Sequence, residues 1–263
     1  MLQFQCDIKT NIRCSKPLVF FLHAFPVNSR MWLPQTKFLQ RKGYNTVSFD
    51  YPGFGGSKLV KSDIGMKDYA DLTHQIQQSL GIDQAIFVGL SMGGYVALEL
   101  FRHYPESFAG LMLSNTRATA DDDEGRQRRY KIVEELKRDM DLDPVISNHL
   151  EKFFKPDFRK NFPDRVQEIK DLMMESTVAG VIQAQLAMAN RLDSTVMLKD
   201  INFPVSIVTG KYDELIKIRD AEKMNELIPG SKLTILDSAH LSNVEHPEQF
   251  NQLLLNLIEN CNK

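Results

Sequence analysis

The sequence has few cysteines, and their placement excludes two kinds of small-domain scaffold. The chain of 263 residues contains three cysteines, Cys6, Cys14 and Cys261. The number is odd, and their spacing fits neither a CxxC motif nor a zinc finger. A disulfide framework or a structural zinc site is therefore not expected, and we interpret the thiols as reduced and incidental.

Long apolar runs and an excess of one charge are also missing. The densest apolar run near the N-terminus, residues 18–22, is too short for a signal-peptide core. No stretch of about 20 apolar residues, the length that spans a bilayer, occurs in the chain. The formal net charge of −2 gives no attraction to nucleic acid or to an anionic membrane. We expect a cytoplasmic protein without either partner, whose oligomeric state the sequence leaves open.

The sequence does contain an alternation of strand-like and helix-like segments. Apolar, β-branched or aromatic runs lie at 17–23, 44–50, 84–89, 108–114, 203–210 and 231–237, and helical candidates at 67–80, 92–104, 217–228 and 247–259. The runs are apolar at nearly every position, which fits strands buried on both faces. The alternation predicts an α/β fold with a mostly parallel central sheet and helices on both faces.

One long segment interrupts this alternation. Residues 117–200 contain no strand-like run and are rich in charge, methionine and helix formers. Pro144 and Pro163 mark helix starts, because proline fits the first helical turn. The pattern predicts a helical cap over residues 117–200, inserted into a core domain of residues 1–116 and 201–263.

A single serine stands among glycines where one predicted strand meets a helix. The segment Gly89-Leu90-Ser91-Met92-Gly93 matches G-x-S-x-G, a sharp strand-to-helix turn that lifts the serine hydroxyl clear of the sheet. A dinucleotide-binding loop needs glycine at Ser91, and a P-loop needs a Gly-Lys-Ser/Thr ending. The segment has neither, so we interpret Ser91 as a candidate nucleophile.

A serine nucleophile needs a base and an acid that orients the base. Among six histidines, His240 alone follows a late predicted strand directly, in a loop that can reach the carboxyl edge of the sheet. Asp213 follows the preceding strand in the same way, and Glu214 is an alternative acid. The chain order of serine, acid and histidine is that of the α/β-hydrolases.

The oxyanion that forms on the substrate needs preorganised donors. The backbone N–H of Met92, at the start of the predicted helix, is one candidate. The second is the N–H of Phe25, in the loop "HAFP" that follows the first predicted strand.

The sequence as a whole resembles the α/β-hydrolase superfamily, in its esterase and enol-lactonase-like group. The matching segments, from residue 17 to about 260, are "FLHAFP", "FDYPGFGGS", "VGLSMGGYVALEL", "LSNTRA", "AMANRLDST", "TGKYDELI" and "SAHLSNVEHPEQFN". One departure concerns the oxyanion loop. The family usually has His-Gly where this chain has His23-Ala24, and glycine there eases an unusual backbone turn.

The resemblance implies a serine hydrolase of the carboxylesterase kind that needs no cofactor and no metal. Ser91 would attack a small-molecule ester, with His240 as base and Asp213 as its orienting acid. Lactone or enol-lactone hydrolysis, perhydrolysis and a non-enzymatic ligand receptor on the same fold are the alternatives. Dehalogenases and epoxide hydrolases carry aspartate at the elbow, so Ser91 argues against both.

The residues that flank the catalytic candidates suggest what fills the pocket. Trp32, Leu215 and Leu241 are apolar, which favours uncharged short-chain esters. Arg117 follows the strand 108–114 at the edge where substrates bind in open α/β sheets. We interpret it as a salt-bridge residue, with a substrate carboxylate as the alternative. The acidic run 121–124 is interpreted as a solvated loop before a helix, and not as a metal site.

Overall fold

A six-stranded sheet lies at the centre of the computed structural model, which describes residues 17–59 and 61–261. Its strands are β1 Leu18–Leu22, β2 Asn45–Ser48, β3 Ala85–Leu90, β4 Phe108–Ser114, β5 Val205–Gly210 and β6 Lys232–Leu236. Their spatial order is β2-β1-β3-β4-β5-β6, and every adjacent pair is parallel. The predicted α/β class is confirmed. The prediction that the thiols are incidental cannot be followed at Cys6 and Cys14, which lie outside the described residues.

Helices connect and cover the strands. They are α1 Leu33–Arg41, α2 Met66–Ser79, α3 Met92–His103, α4 Asp123–Asp139, α5 Asp143–Phe153, α6 Pro156–Asn161, α7 Pro163–Met174, α8 Val178–Ala189, α9 Ile218–Leu227, α10 Ser242–Glu245 and α11 Pro247–Cys261, with 3₁₀ turns at Ser29–Trp32, Pro105–Ser107 and Thr195–Asp200. The four helices predicted between strands correspond to α2, α3, α9 and α11. Helices α1 and α10 were not predicted. No helix of the described ranges combines the length and the apolar character needed to cross a bilayer.

Two apolar cores lie on opposite faces of the sheet, because alternate strand residues point to opposite sides. In β1, Phe20 belongs to the core shared with α2, α3 and α9, and Phe21 to the core shared with α1 and α11. The Phe20 ring lies 5.3 Å from that of Phe87, and the Phe21 ring 5.2 Å from that of Trp32. Every residue of β1 is buried, as a strand covered on both faces requires.

Five helices, α4 to α8, lie between β4 and β5, and we call residues 123–189 the helical insertion. Its apolar side chains join both cores: Val133 and Leu136 of α4 join the first, and Phe153 and Met173 the second. The insertion therefore sits across the edge of the sheet. That residues 117–200 form a separate cap domain stays a prediction.

A glycine contact fastens the insertion to the core. Gly53, in the loop after β2, has a φ of +88°, and its carbonyl accepts a 2.8 Å hydrogen bond from the Thr177 N–H at the start of α8. A Cβ added to Gly180 would lie 2.5 Å from the same carbonyl oxygen. This close backbone approach explains the glycines at positions 53 and 180.

Candidate active site

Ser91 occupies the turn between β3 and α3 in a strained backbone conformation. Its φ of 55° and ψ of −114° lie outside the regions that side chains other than glycine favour. The Ser91 N–H donates to the Ser114 carbonyl at 3.0 Å, and the Ser91 carbonyl accepts the Thr116 hydroxyl at 2.8 Å. The neighbouring strand β4 thus holds the turn in place.

The glycines on either side of Ser91 are required by close packing. A Cβ on Gly89 would lie 2.4 Å from the Gly93 carbonyl oxygen, and one on Gly93 would lie 2.0 Å from the Leu22 carbonyl oxygen. Side chains at these positions would push α3 away from β1 and β3. The G-x-S-x-G spacing therefore reflects how tightly the helix packs on the strands.

His240 and Asp213 form a buried pair. His240 is 1% exposed, and its Nδ1 lies 2.8 Å from Asp213 Oδ2. Its Nε2 is buried and has no hydrogen-bond partner among residues 17–59 and 61–261, so no direct bond to Ser91 is formed. His240 and Ser91 nevertheless line the same cavity. In free enzymes, catalytic hydrogen bonds often close only when the substrate binds.

The Asp213 carboxylate is held in place by its hydrogen bonds. Oδ1 accepts the N–H groups of Leu215 at 2.8 Å and Ile216 at 3.0 Å, and Oδ2 accepts from His240. Burial acts to raise the pKa of Asp213, but His240 and these bonds outweigh it and keep the pKa below its usual value. The side chain of Glu214, the alternative acid, is exposed.

Asn115, which follows β4, was not predicted as a site residue. Its φ is 46°, and its side-chain Nδ2 donates to Asp213 Oδ2 at 3.0 Å and to the Ala239 carbonyl at 3.2 Å. Its Oδ1 accepts the hydroxyls of Ser114 at 2.9 Å and Ser242 at 2.8 Å. Asn115 thus joins the acid loop, the histidine loop and β4. The sequence signal that could have indicated a site residue here is the position of this asparagine, directly after a strand predicted to be buried.

The loop after β1 places Phe25 in the cavity that contains Ser91. His23 fixes this loop, since its Nδ1 donates to the Ala24 carbonyl at 2.9 Å and its Nε2 accepts the Tyr51 N–H at 3.0 Å. Burial lowers the pKa of His23, which favours the neutral ring that this bonding needs. Ala24 is buried without a positive φ, so its Cβ causes no backbone strain there. Met92 opens α3, where an N–H has no partner within the helix.

The cavity has a volume of about 370 Å³ and a mixed lining. It is lined by Phe25, Ser91, Tyr95, Arg117, Asp121, Gly125, Arg128, Arg129, Ile132, Asn148, His149, Lys152, Gln185, Met188, Glu214, Leu215, Ile216 and His240. Leu215 and Arg117, two of the predicted pocket residues, are among them. Trp32 and Leu241 do not line it, because both are fully buried in the core on the α11 face of the sheet. Trp32 packs there against Phe250.

A buried carboxylate at the cavity corrects the interpretation of the acidic run. Asp121 is 4% exposed and binds the guanidinium groups of Arg117, Arg129 and Arg191, the last at 2.9 Å. The other three acidic residues of the run are exposed at the start of α4, as predicted, and Asp122 caps the helix by accepting the Gly125 N–H at 2.7 Å. Within the described residues, no group of three or more His, Cys, Asp or Glu side chains is placed to bind a metal ion.

Helix α5 adds two side chains that were not predicted. His149 lines the cavity, and its Nδ1 donates to the Val145 carbonyl at 2.8 Å. Burial lowers the pKa of His149 to about 4, so its ring is neutral near pH 7. Phe153, one turn later, stacks on His240 with ring centroids 5.5 Å apart. Neither residue carries a recognisable sequence motif.

Comparisons with known proteins agree with this fold. A family model described as alpha/beta hydrolase fold matches residues 17–247. The chain is 28% identical to 3-oxoadipate enol-lactonase 2 of Acinetobacter baylyi over 239 residues, which are 91% of this chain and 87% of that protein. A thermophilic esterase from Thermogutta terrifontis superposes with a TM-score of 0.91 at 27% identity, covering 99% of this chain and 94% of that chain.

A second solved structure shows the same fold at lower identity. The enol-lactonase from Burkholderia xenovorans LB400 superposes with a TM-score of 0.89 at 21% identity, covering 97% of this chain and 96% of that chain.

Proposed function

We propose, on the premise that the chain belongs to the alpha/beta hydrolase fold family, that it is a cofactor-free serine hydrolase of small carboxylic esters. One observation supports this above all. A buried histidine, paired with a buried aspartate and with no hydrogen-bond partner on its Nε2, lines the same cavity as a serine on a strained turn. This is the arrangement that activates a hydroxyl for attack on a carbonyl.

The proposed reaction has two halves. Ser91 Oγ attacks the ester carbonyl while His240 Nε2 takes its proton, and Asp213 stabilises the imidazolium that forms. The N–H groups of Phe25 and Met92 bind the oxyanion of the tetrahedral intermediate. The intermediate collapses to an acyl-enzyme as His240 gives its proton to the departing alcohol. His240 then activates a water molecule, which releases the acid and restores Ser91.

Multiple turnover of p-nitrophenyl acetate tests this function. A serine hydrolase should release many equivalents of p-nitrophenol per chain, and EDTA should leave the rate unchanged. A single burst that stops at one equivalent, or no release, would contradict the proposal and favour a ligand receptor on the same fold. Perhydrolysis uses the same groups and is tested by adding hydrogen peroxide and acetate.

A second candidate function, hydrolysis of a lactone that carries a carboxylate, is favoured by the charges in the cavity. Asp121 supplies one negative charge to the three guanidinium groups around it. Burying an excess of cations is unfavourable unless a counter-charge arrives. A substrate carboxylate would supply this counter-charge. Two of the similar proteins are named 3-oxoadipate enol-lactonases, a name that describes lactone cleavage.

Arg117 is the arginine best placed to meet such a carboxylate. Its side chain is 27% exposed, against 20% for Arg129 and 4% for Arg191. The Nε atoms of Arg117 and Arg191 both lack a partner in the described part of the chain, but Arg191 also donates to the carbonyls of Met188 and Thr119. A guanidinium can bind a carboxylate with two parallel hydrogen bonds.

Matched substrates separate the two candidates. We compare the p-nitrophenyl half-ester of glutaric acid with the same compound capped as a primary amide, and a lactone with and without a carboxylate side chain. The second candidate predicts that kcat/KM is about 10-fold higher for the anionic member of each pair, and that Arg117→Gln removes the preference. Arg126→Gln, on the exposed side of α4, is the control. A preference for the neutral members would leave the uncharged ester as the substrate.

A further inference from the structure

The segment that links α5 to α6 lies against the loop that carries His240. The Phe153 ring is buried and stacks on the His240 ring with an angle of 20° between the planes. The Phe153 carbonyl accepts the Leu241 N–H at 3.0 Å. Phe153 therefore contacts His240 through its side chain, and its backbone carbonyl holds the N–H of Leu241, the residue that follows His240.

The other side of the same loop is held by Glu245. Its Oε1 accepts the Ala239 N–H at 2.7 Å, and its Oε2 accepts the Lys155 N–H at 3.4 Å. The amides before and after His240 are thus both anchored, and Glu245 also binds the linker that carries Phe153. This network leaves His240 little freedom to change position.

The stacking also has an electrostatic consequence. The face of an aromatic ring is negative, and it attracts a cation placed over it. In the proposed reaction His240 acts as a neutral base and becomes an imidazolium when it takes the Ser91 proton. The face of the Phe153 ring therefore stabilises the imidazolium form of His240, which occurs in the transition state, more than the neutral imidazole that precedes it.

We propose that Phe153 is a positioning residue that sets the protonation and orientation of His240, so that the helical insertion contributes to the reaction as well as to the pocket wall. The proposal rests on the proposed function, in which His240 is the base. Phe153 does not line the cavity, and its ring contacts both His240 and His149, which do.

Other groups around His240 also influence its protonation and stay unchanged in the test. Asp213 holds Nδ1, and Glu245 lies behind the loop. The remaining titratable or charged side chains that share its cavity are Tyr95, Arg117, Asp121, Arg128, Arg129, His149, Lys152 and Glu214.

The test compares Phe153→Leu with Phe153→Tyr, which keeps the aromatic face, and with Phe154→Leu. Phe154 is the matched control, because it is almost as buried and stacks on Phe158 at 5.2 Å, whereas it meets Phe153 only edge-on at 6.5 Å. Two quantities are measured for each folded variant: the pH profile of kcat/KM on p-nitrophenyl acetate, and the titration of the His240 imidazole protons by NMR. The NMR titration needs no turnover, so it tests Phe153 even if the proposed function fails.

The proposal predicts that Phe153→Leu lowers kcat several-fold with little change in KM. It also predicts that the His240 titration midpoint and the acid limb of the profile move about half a pH unit lower. Phe153→Tyr should keep the wild-type midpoint, and Phe154→Leu should change only the thermal stability. If Phe153→Leu does not fold, Phe153→Met serves as a flexible side chain without a ring. A wild-type midpoint in either ring-less variant, or an equal shift in Phe154→Leu, would overturn the proposal.

Discussion

The loops at the carboxyl edge of the sheet and the helical insertion differ in how strongly their residues are fixed. Ser91, Asp213 and Asn115 follow strands whose residues are almost all buried, and each of the three has several hydrogen bonds to other segments. In the insertion, α6 has no buried residue, and the 17-residue α4 has three. The insertion nevertheless provides nine of the eighteen residues that line the cavity.

This contrast indicates a division of labour between the two regions. Groups that must be placed to within a fraction of an ångström lie on the rigid sheet edge, as catalysis requires. The groups proposed to select the substrate, apart from Arg117 after β4, lie on helices that can vary without disturbing the sheet. Changes at the catalytic positions of the sheet edge should therefore reduce the rate for every substrate. Changes in the insertion, apart from Phe153 against His240, should alter the choice among substrates.

The largest expected effect is the loss of Ser91 or His240. Because such groups act as a unit, Ser91→Ala, His240→Ala and the double variant should each lose a factor on the order of 10⁶ in kcat. Steady-state rates with p-nitrophenyl acetate measure this loss. Losses that add up in the double variant would show that the two residues do not act together.

The next effect concerns the acid. Asp213→Asn should keep the fold and lower kcat by about 10⁴, as the same change does in a serine protease triad. Glu214→Gln is the matched control, because the Glu214 side chain is exposed, and this change should lower kcat only slightly. If Glu214→Gln were the more damaging change, the assignment of the acid would be reversed.

A smaller loss of kcat is expected when Asn115 is replaced. This variant also tests whether a residue at the sheet edge affects the rate and not the choice of substrate. Asn115→Ala removes a donor to Asp213 and leaves buried partners unpaired, so it should cost about 1–3 kcal/mol in unfolding free energy. It should also lower kcat about equally for neutral and anionic esters. A change in substrate preference without a loss of kcat would place Asn115 with the residues of the insertion.

The smallest effect is a pH dependence within the insertion. The folded-state pKa of His149 is about 4, below the value of about 6.5 in an unfolded chain. The unfolded chain therefore binds more protons between these values, and stability should fall as the pH drops from about 6.5 toward 4.

His149→Phe keeps the ring contacts with Phe25 and Phe153 and removes the titration. Urea unfolding at pH 7.5 and 5.0 should show that the variant loses about 1–2 kcal/mol less than the wild type over this interval. An equal loss in both proteins would show that His149 does not contribute.

The strands and the serine turn could be predicted because their signals are local. A run of apolar residues indicates a buried strand, and glycines around Ser91 indicate a turn with no room for Cβ atoms. Helix α1 escaped prediction because its buried face includes Gln35 and Thr36, so it shows no apolar stripe. Gln35 is satisfied by the Asn243 carbonyl at 3.1 Å, a partner that the sequence cannot reveal.

The candidate site was predictable only in part, for a related reason. Ser91, Asp213 and His240 follow strands in a known order, whereas Phe153 reaches His240 across 87 residues of chain. The expectation of an apolar pocket was wrong in part, because it considered residues adjacent in sequence to the catalytic positions. The arginines at Asp121 come from three separate segments that only the packing of α4 and α8 brings together.

The central claim, that Ser91 is the nucleophile, is tested most directly by covalent labelling with a fluorophosphonate and mass spectrometry of the digested protein. The account predicts one adduct per chain, on the peptide that contains Ser91, and no adduct in Ser91→Ala. Thr116→Val, which removes only a hydrogen bond to the Ser91 carbonyl, should still be labelled. Loss of activity with the adduct on another residue, or turnover of esters by an unlabelled chain, would contradict the claim.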